Sequence, residues 1–230
     1  MLVNKLLSGA VKILLYSQVS DIDNLKIKTI GKDKQILTGN IPEVLISASN
    51  VLYRGIYLTK VKIVGTNIKF DFSQVISQKS LKLSEPILID LEAFVLAEDL
   101  QKSVFSSLVS SGLTDIWYRF LSLPNDIEIL DKEYQNYQWN YLSFAQDEIT
   151  FRGIYLKSNT QQSTIEIQTK IKALDEHSLI LSPISINTIP ALPINQAKSL
   201  TFELGKQVSI KQLEITEKHL LIKGTITVYP

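Results

Sequence analysis

The chain has 230 residues, 45% hydrophobic and 20% charged, an ordinary composition for one large or two small folded domains with a sizeable core. Twenty-four basic residues face twenty-three acidic ones for a net charge of +1, so no global field draws the chain to nucleic acid. The absence of cysteine excludes disulfides, thiolate catalysis and thiolate metal sites, and suits a reducing compartment.

Met1 to Gln18 carries Val3, Leu6, Leu7, Ala10, Val11, Leu14 and Leu15 at helical spacing, with Asn4, Lys5, Ser8 and Lys12 on the other side. This predicts an amphipathic helix. Lys12 interrupts the apolar run and Tyr16-Ser17-Gln18 makes a poor cleavage site, so the segment does not read as a secretory signal. No stretch reaches the roughly eighteen apolar residues of a membrane span. The expectation is a cytoplasmic chain that touches membranes peripherally if at all. The apolar face of the helix either packs on the protein's own sheet or inserts at a membrane interface.

From Asp21 the periodicity turns from helical to alternating. Leu25, Ile27 and Thr29 oppose Lys26 and Lys28, Gly31-Lys32-Asp33-Lys34 supplies a turn, and an extended pattern resumes from Val44 to Tyr53. Arg54-Gly55-Ile56-Tyr57-Leu58 follows, and the same five residues return as Arg152-Gly153-Ile154-Tyr155-Leu156. Two of the chain's three arginines belong to these copies, and a looser third, Lys223-Gly224, repeats the basic-residue-then-glycine step. The repeat predicts equivalent glycines at bulges or tight bends, with Tyr57 and Tyr155 on corresponding strand faces. Val61 and Ile63 then alternate with Lys60 and Lys62 until the phase slips at Gly65-Thr66-Asn67, where a bulge or short turn is predicted before Ile68, Phe70 and Phe72.

Pro86 opens a strand with Ile87, Ile89, Leu91, Ala93 and Val95 on one face and a mixed, half-wet row opposite. A helix is predicted from about Glu98, with acidic residues in its first turn, Leu100, Val104 and Leu108 on one face, Phe105 and Val109 alongside, and Gly112 at its end. Leu113 to Leu121 reads as a second short helix stopped before Pro124. Beyond the aromatic cluster Tyr134, Tyr137, Trp139 and Tyr141, strands are predicted at Ile149 to Leu156, Ile165 to Ala173 and Leu179 to Ile186. A polar turn at Ser158 to Ser163 separates the first two, and Pro183, Pro190 and Pro193 delimit a loop crossing. Asn195 to Leu204 reads as short helix or irregular chain, followed by a ribbon of Val208 to Thr216 and Leu220 to Tyr229. Two halves of similar order, about 1–123 and 124–230, suggest pseudo-repetition within one domain of 230 residues. The fold class is α+β, with long antiparallel ribbons bent at glycines around something apolar.

Signs of chemistry are few. His177 and His219 fall in predicted turns without partners at metal-binding spacing. No G-x-S-x-G elbow, G-x-G-x-x-G or P-loop occurs, and Glu98-Asp99, Asp147-Glu148 and Asp175-Glu176 sit where capping and solubility explain them. The expectation is therefore no enzyme, no metal and no cofactor. Nucleic acid is not an expected partner, because Asp126, Glu128, Asp131 and Glu133 beside the aromatic cluster would repel phosphates. Half-buried packing or an interfacial belt suits those aromatics better. Arg54 and Arg152 have two readings: a bidentate grip on a lipid phosphate, or a structural ion pair or backbone contact beside the glycine.

Four segments together resemble the LmeA-like phospholipid-binding proteins over nearly the whole chain. They are the N-terminal helix, the Val51-Leu52-Tyr53-Arg54-Gly55-Ile56 turn, the Ala97-Glu98-Asp99-Leu100 helix opening, and the ribbon from Leu213-Glu214-Ile215 to Leu220-Leu221-Ile222-Lys223-Gly224-Thr225. The resemblance implies a tubular lipid-binding architecture, in which a long curved antiparallel sheet wraps amphipathic helices and leaves an apolar groove for acyl chains. Ala97 departs from a position where Thr is frequent, and the N-terminal helix is not expected to serve as the signal sequence that secreted members carry. Resemblance and residues converge on non-enzymatic binding or transfer of a phospholipid or another acyl lipid. Leu6, Leu7, Ala10, Leu14, Leu100, Val104 and Leu108 exceed what docking short helices on one sheet requires, and would border the groove. Arg54 and Arg152 are the head-group candidates. The alternative is a scaffold that uses the same sheet and helices for protein contacts; an esterase with an unrecognised serine is a weaker third.

Overall fold

Branched and aromatic residues alternating with lysine, serine and threonine favour strand over most of the chain. A computed structural model describes residues 2–73, 83–121, 137–156, 162–189 and 199–230. In chain order the elements are α1 (Leu2–Gln18), β1 (Asp21–Ile30), α2 (Asp33–Leu37), β2 (Asn40–Tyr53), β3 (Ile56–Lys69), β4 (Ile87–Leu96), α3 (Ala97–Ser103) and α4 (Ser107–Leu121). There follow β5 (Tyr137–Ala145), β6 (Glu148–Leu156), β7 (Gln162–Ala173), β8 (Ser178–Ile189), β9 (Leu200–Glu203), β10 (Val208–Ile215) and β11 (His219–Val228).

The strands divide between two antiparallel sheets instead of forming one ribbon. One sheet has the order β1-β2-β3-β4-β11-β10 and the other β5-β6-β7-β8-β9. The C-terminal hairpin thus returns to pair with β4, so the first sheet takes strands from both ends of the chain.

Helices cover part of each sheet. Leu7 of α1 and Ile36 of α2 pack with Ile41, Val44, Ile68, Phe70 and Ile87 of the first sheet and its flank. Val104, Leu113 and Trp117 pack with Trp139, Phe144, Phe151, Ile165 and Ile167 of the second. Ile215 from β10 joins this second core. The backbone N–H of Asp147 donates to the Ile215 carbonyl at 3.1 Å, and that of Ile210 to the Glu176 carbonyl at 2.7 Å, so β10 abuts the turns of the second sheet.

Four local expectations need correction. The phase slip near Gly65 exists, but the β2–β3 register stays constant from Asn40↔Lys69 to Tyr53↔Ile56, with no bulge. Both strands slip together: the buried pair is Val44 and Gly65 on one side of Pro42 and Asn67, and Ile41 and Ile68 on the other. Asn67 absorbs the change at φ 51°, a left-handed conformation that asparagine tolerates better than most residues. Gly112 does not end a helix; α4 runs through it, because Leu113 and Trp117 beyond it are both buried in the second core, and packing outweighs glycine's weak helix propensity. The turn expected at Gly31 to Lys34 continues into α2, and Leu200 to Glu203 is a strand paired with β8. Residues 157–161 and 190–198, with Pro190 and Pro193, and Tyr134 lie outside the described residues.

Glu92 of β4 stands directly across from Lys62 of β3 and Lys223 of β11, with nitrogen–oxygen distances of 2.8 and 3.7 Å. The hydrogen bond from Lys62, with the charges of Lys62 and Lys223, outweighs slight desolvation and holds the Glu92 carboxyl below its ordinary range. A depressed carboxylate contributes stability above its unfolded pKa and loses it as pH falls through the folded value. The side chain remains one-third exposed, so solvent screening limits the contribution to about 0–1 kcal/mol. Glu92→Gln should therefore shrink the loss of stability below about pH 4.3, measured by urea unfolding across an acid series. An unchanged acid limb would show that the two lysines contribute nothing through Glu92.

Candidate functional site

The β2–β3 hairpin closes over two residues, Arg54 and Gly55, at φ 49° and 82°. Two consecutive positive φ values are the mark of a type I′ turn, whose second position favours glycine. A side chain is also excluded by space, since a Cβ on Gly55 would stand 2.7 Å from the Ser106 Cβ. The hairpin tip therefore presses on the junction of α3 and α4. Tyr57 N–H donates to the Ser103 hydroxyl at 2.8 Å, which donates in turn to the Asp99 carbonyl at 2.7 Å. Ser106 caps α4 by accepting from Val109 N–H at 3.1 Å. Thr59 donates to Asp99 at 2.6 Å, and its hydroxyl oxygen accepts from Leu96 N–H at 2.8 Å.

This locked corner inverts the usual distribution of side chains. Ser103 and Ser106 are buried, while Phe105 is 71% exposed and Leu108 47%. Exposed Arg54 stands at the hairpin tip over the Tyr53 ring. The Lys102 ammonium lies 5.8 Å from the Tyr57 ring centre. Its hydrogen bond to Asp99 raises its pKa above the ordinary lysine value.

The second copy of the pentapeptide has a different structure, contrary to the expectation of equivalent bends. Arg152 and Gly153 lie within β6, and Gly153 pairs with Trp139 opposite a register shift between Trp139 and Tyr141. A Cβ there would meet the indole at 2.8 Å. Gln101 of α3 satisfies the irregularity, donating to the Asn140 carbonyl at 3.0 Å and accepting from Leu142 N–H at 2.8 Å. Arg152 pairs with Glu166 and lies 4.6 Å from the Tyr141 ring centre. The looser third copy is the true counterpart of the second: Gly224 also faces a register shift, between Ile210 and Gln212. Arg152 is thereby engaged in an ion pair with Glu166. The Tyr155 side chain lies outside the described residues.

The expected groove residues fall into two groups. Leu7 and Ala10 belong to the core of α1 and the first sheet, with Leu7 at 0% exposure. That face of α1 is committed to the protein's own sheet. Leu100 and Val104 belong to the second core, and Leu108, three residues after Phe105, is 47% exposed. The side chains of Leu6 and Leu14 lie outside the described residues. Phe105 was missed because a continuous helix places it beside the apolar face; the break at 104–106 turns it outward. The legible signal was Ser106, an N-cap residue type followed by Leu108 and Val109.

His177 is an exposed residue of the bend between β7 and β8, as expected, whereas His219 is half-buried at the start of β11. His177 contacts the Val208 carbonyl at 2.6 Å, and His219 stacks on Phe94 at 4.8 Å and approaches Glu214 at 3.3 Å. No cluster of metal-ligating side chains occurs among the described residues. No helix among them is long and apolar enough to cross a membrane.

Comparison with known proteins gives one family-level match. The family model described as LmeA-like phospholipid-binding matches residues 2–225. No curated protein matches the chain. Among solved structures, the di-domain ARO/CYC StfQ from the steffimycin biosynthetic pathway aligns over 100% of this chain and 81% of its own at 10% identity, with a TM-score of 0.17. A score that low carries no statement about the fold.

Proposed function

The chain belongs to the LmeA-like phospholipid-binding family, and from that membership we propose that it binds a phospholipid without chemistry, burying acyl chains beside α3 and α4. The family match over residues 2–225 carries the reading. The distribution of apolar side chains supports it: partly buried Leu100, Val109, Ile116, Ile184 and Ile186 fringe the second core around Val104. Each acyl methylene sheltered there would contribute about 0.8 kcal/mol. Together the sheets and helices would form a tubular binder, and transfer between membranes is the corresponding physiological role. Arg54, exposed at the hairpin tip, is the head-group candidate; Arg152, also exposed, is paired with Glu166.

Purified protein should release about one phospholipid per chain on solvent extraction, read by mass spectrometry against protein concentration. Lipid-stripped protein should recover it from vesicles. Protein that carries no phospholipid and takes none up would sink the proposal and favour a scaffold.

A further inference from the structure

The α3–α4 corner exposes two large apolar side chains on a rigid support while burying its hydroxyls. We propose that Phe105 and Leu108, flanked by Tyr57, Arg54 and Lys102, form the surface by which the protein docks on a zwitterionic phospholipid bilayer. The inference rests on the phospholipid-binding reading but concerns where the protein meets a membrane, not whether it carries a lipid.

Burial of Ser103 and Ser106 beneath an exposed phenylalanine reverses the ordinary preference for apolar residues inside. The reversal is not slack in the chain. Ser103 is bonded on both sides, Ser106 caps α4, and Gly55 leaves the hairpin seated against Ser106. These contacts hold Phe105 outward, so inserting it costs little conformational entropy. Tyr57, 38% exposed, adds an amphipathic ring of the kind enriched at membrane interfaces.

Charge selects the occupant. Arg54, at the tip of the hairpin that seats on Ser106, suits the phosphate level of a bilayer, while Lys102, three residues before Phe105, is paired with Asp99 at 3.0 Å. Acidic groups stand at the same end: Glu98 and Asp99 on α3, and Asp21 opposite Leu52 at the start of β1. Mixed signs match a head group that carries both phosphate and amine, and give no net attraction to an anionic surface. Apolar insertion must therefore supply most of the affinity.

The test is flotation with phosphatidylcholine vesicles, using the intact chain and Phe105→Asp/Leu108→Asp. Both positions are exposed, and circular dichroism checks that the variant folds. The intact chain should float, about 0.5 M salt should change its partition less than about threefold, and the variant should partition at least tenfold less. Bound phospholipid, measured separately by mass spectrometry, should persist in Phe105→Asp alone, which leaves Leu108 in place. Loss of bound lipid from the intact protein would defeat the functional reading alone, whereas equal flotation of the two chains would defeat the docking surface alone. Flotation only on vesicles containing phosphatidylglycerol, or abolition by salt, would overturn the zwitterionic assignment. A dimer of the intact chain that the variant breaks, without vesicle binding by either, would assign the corner to a second copy and overturn the proposal.

Discussion

Replacing Gly224 by alanine is expected to destabilise the chain by about 2–3 kcal/mol, near the upper end of what overpacking costs. A Cβ at that position would stand 2.2 Å from the Ser209 carbonyl oxygen and 3.3 Å from the Ile210 Cα. Those are backbone atoms of β10, which cannot rotate aside as a side chain would. Relief requires β10 to move off β11, and β10 also holds Ile215 in the second core. Gly112→Ala provides the contrast, because nothing lies within 4 Å of a Cβ there and the residue is helical. That change should stabilise by up to about 1 kcal/mol through helix propensity alone. Urea unfolding midpoints of the two variants should move in opposite directions. A Gly224→Ala chain as stable as the parent would mean that the β10–β11 irregularity yields freely.

Trp117→Ala should cost more, about 3–5 kcal/mol, as large-to-small core changes of aromatic residues do. Trp117 has 0% exposure and is the largest side chain so completely buried among the described residues. Its ring meets Tyr137 edge to face at 6.2 Å. The indole is part of the core that packs α4 with the second sheet, so the cavity would loosen the helix that follows the exposed corner. Tyr118→Ala, one residue on, 36% exposed and edge to face with Tyr137 at 5.8 Å, should cost less, about 1–2 kcal/mol. Chemical denaturation distinguishes the two. A Trp117→Ala loss below about 1 kcal/mol would show that the second core collapses around the missing ring.

The two cores have a bearing on function. Leu7 and Val104 looked alike as apolar helix residues, yet each is sealed into a different sheet. A Leu7→Gln change would place an amide in a fully apolar site, so loss of membrane binding in such a variant would report unfolding instead of a membrane-facing gate. Substitutions at Phe105 and Leu108 avoid that ambiguity because both side chains face solvent.

Strand identity and the N-terminal helix were legible from residue order, since alternation and 3.6-residue periodicity describe how one segment divides between two faces. The family resemblance was legible as well, and the model match over residues 2–225 bears it out. Two residues in left-handed conformation at Arg54-Gly55 made a hairpin that a basic residue and glycine can announce locally. The same pair at 152–153 became mid-strand, because there the neighbouring strand brings Trp139 onto the glycine. Pairing partners are set by contacts distant in sequence, which no five-residue window contains. For the same reason, tertiary structure alone joined β11 to β4, carried α4 through Gly112, and turned Phe105 outward. Buried Trp117 anchors the helix on one side of that corner, and the Gly55 hairpin blocks the other.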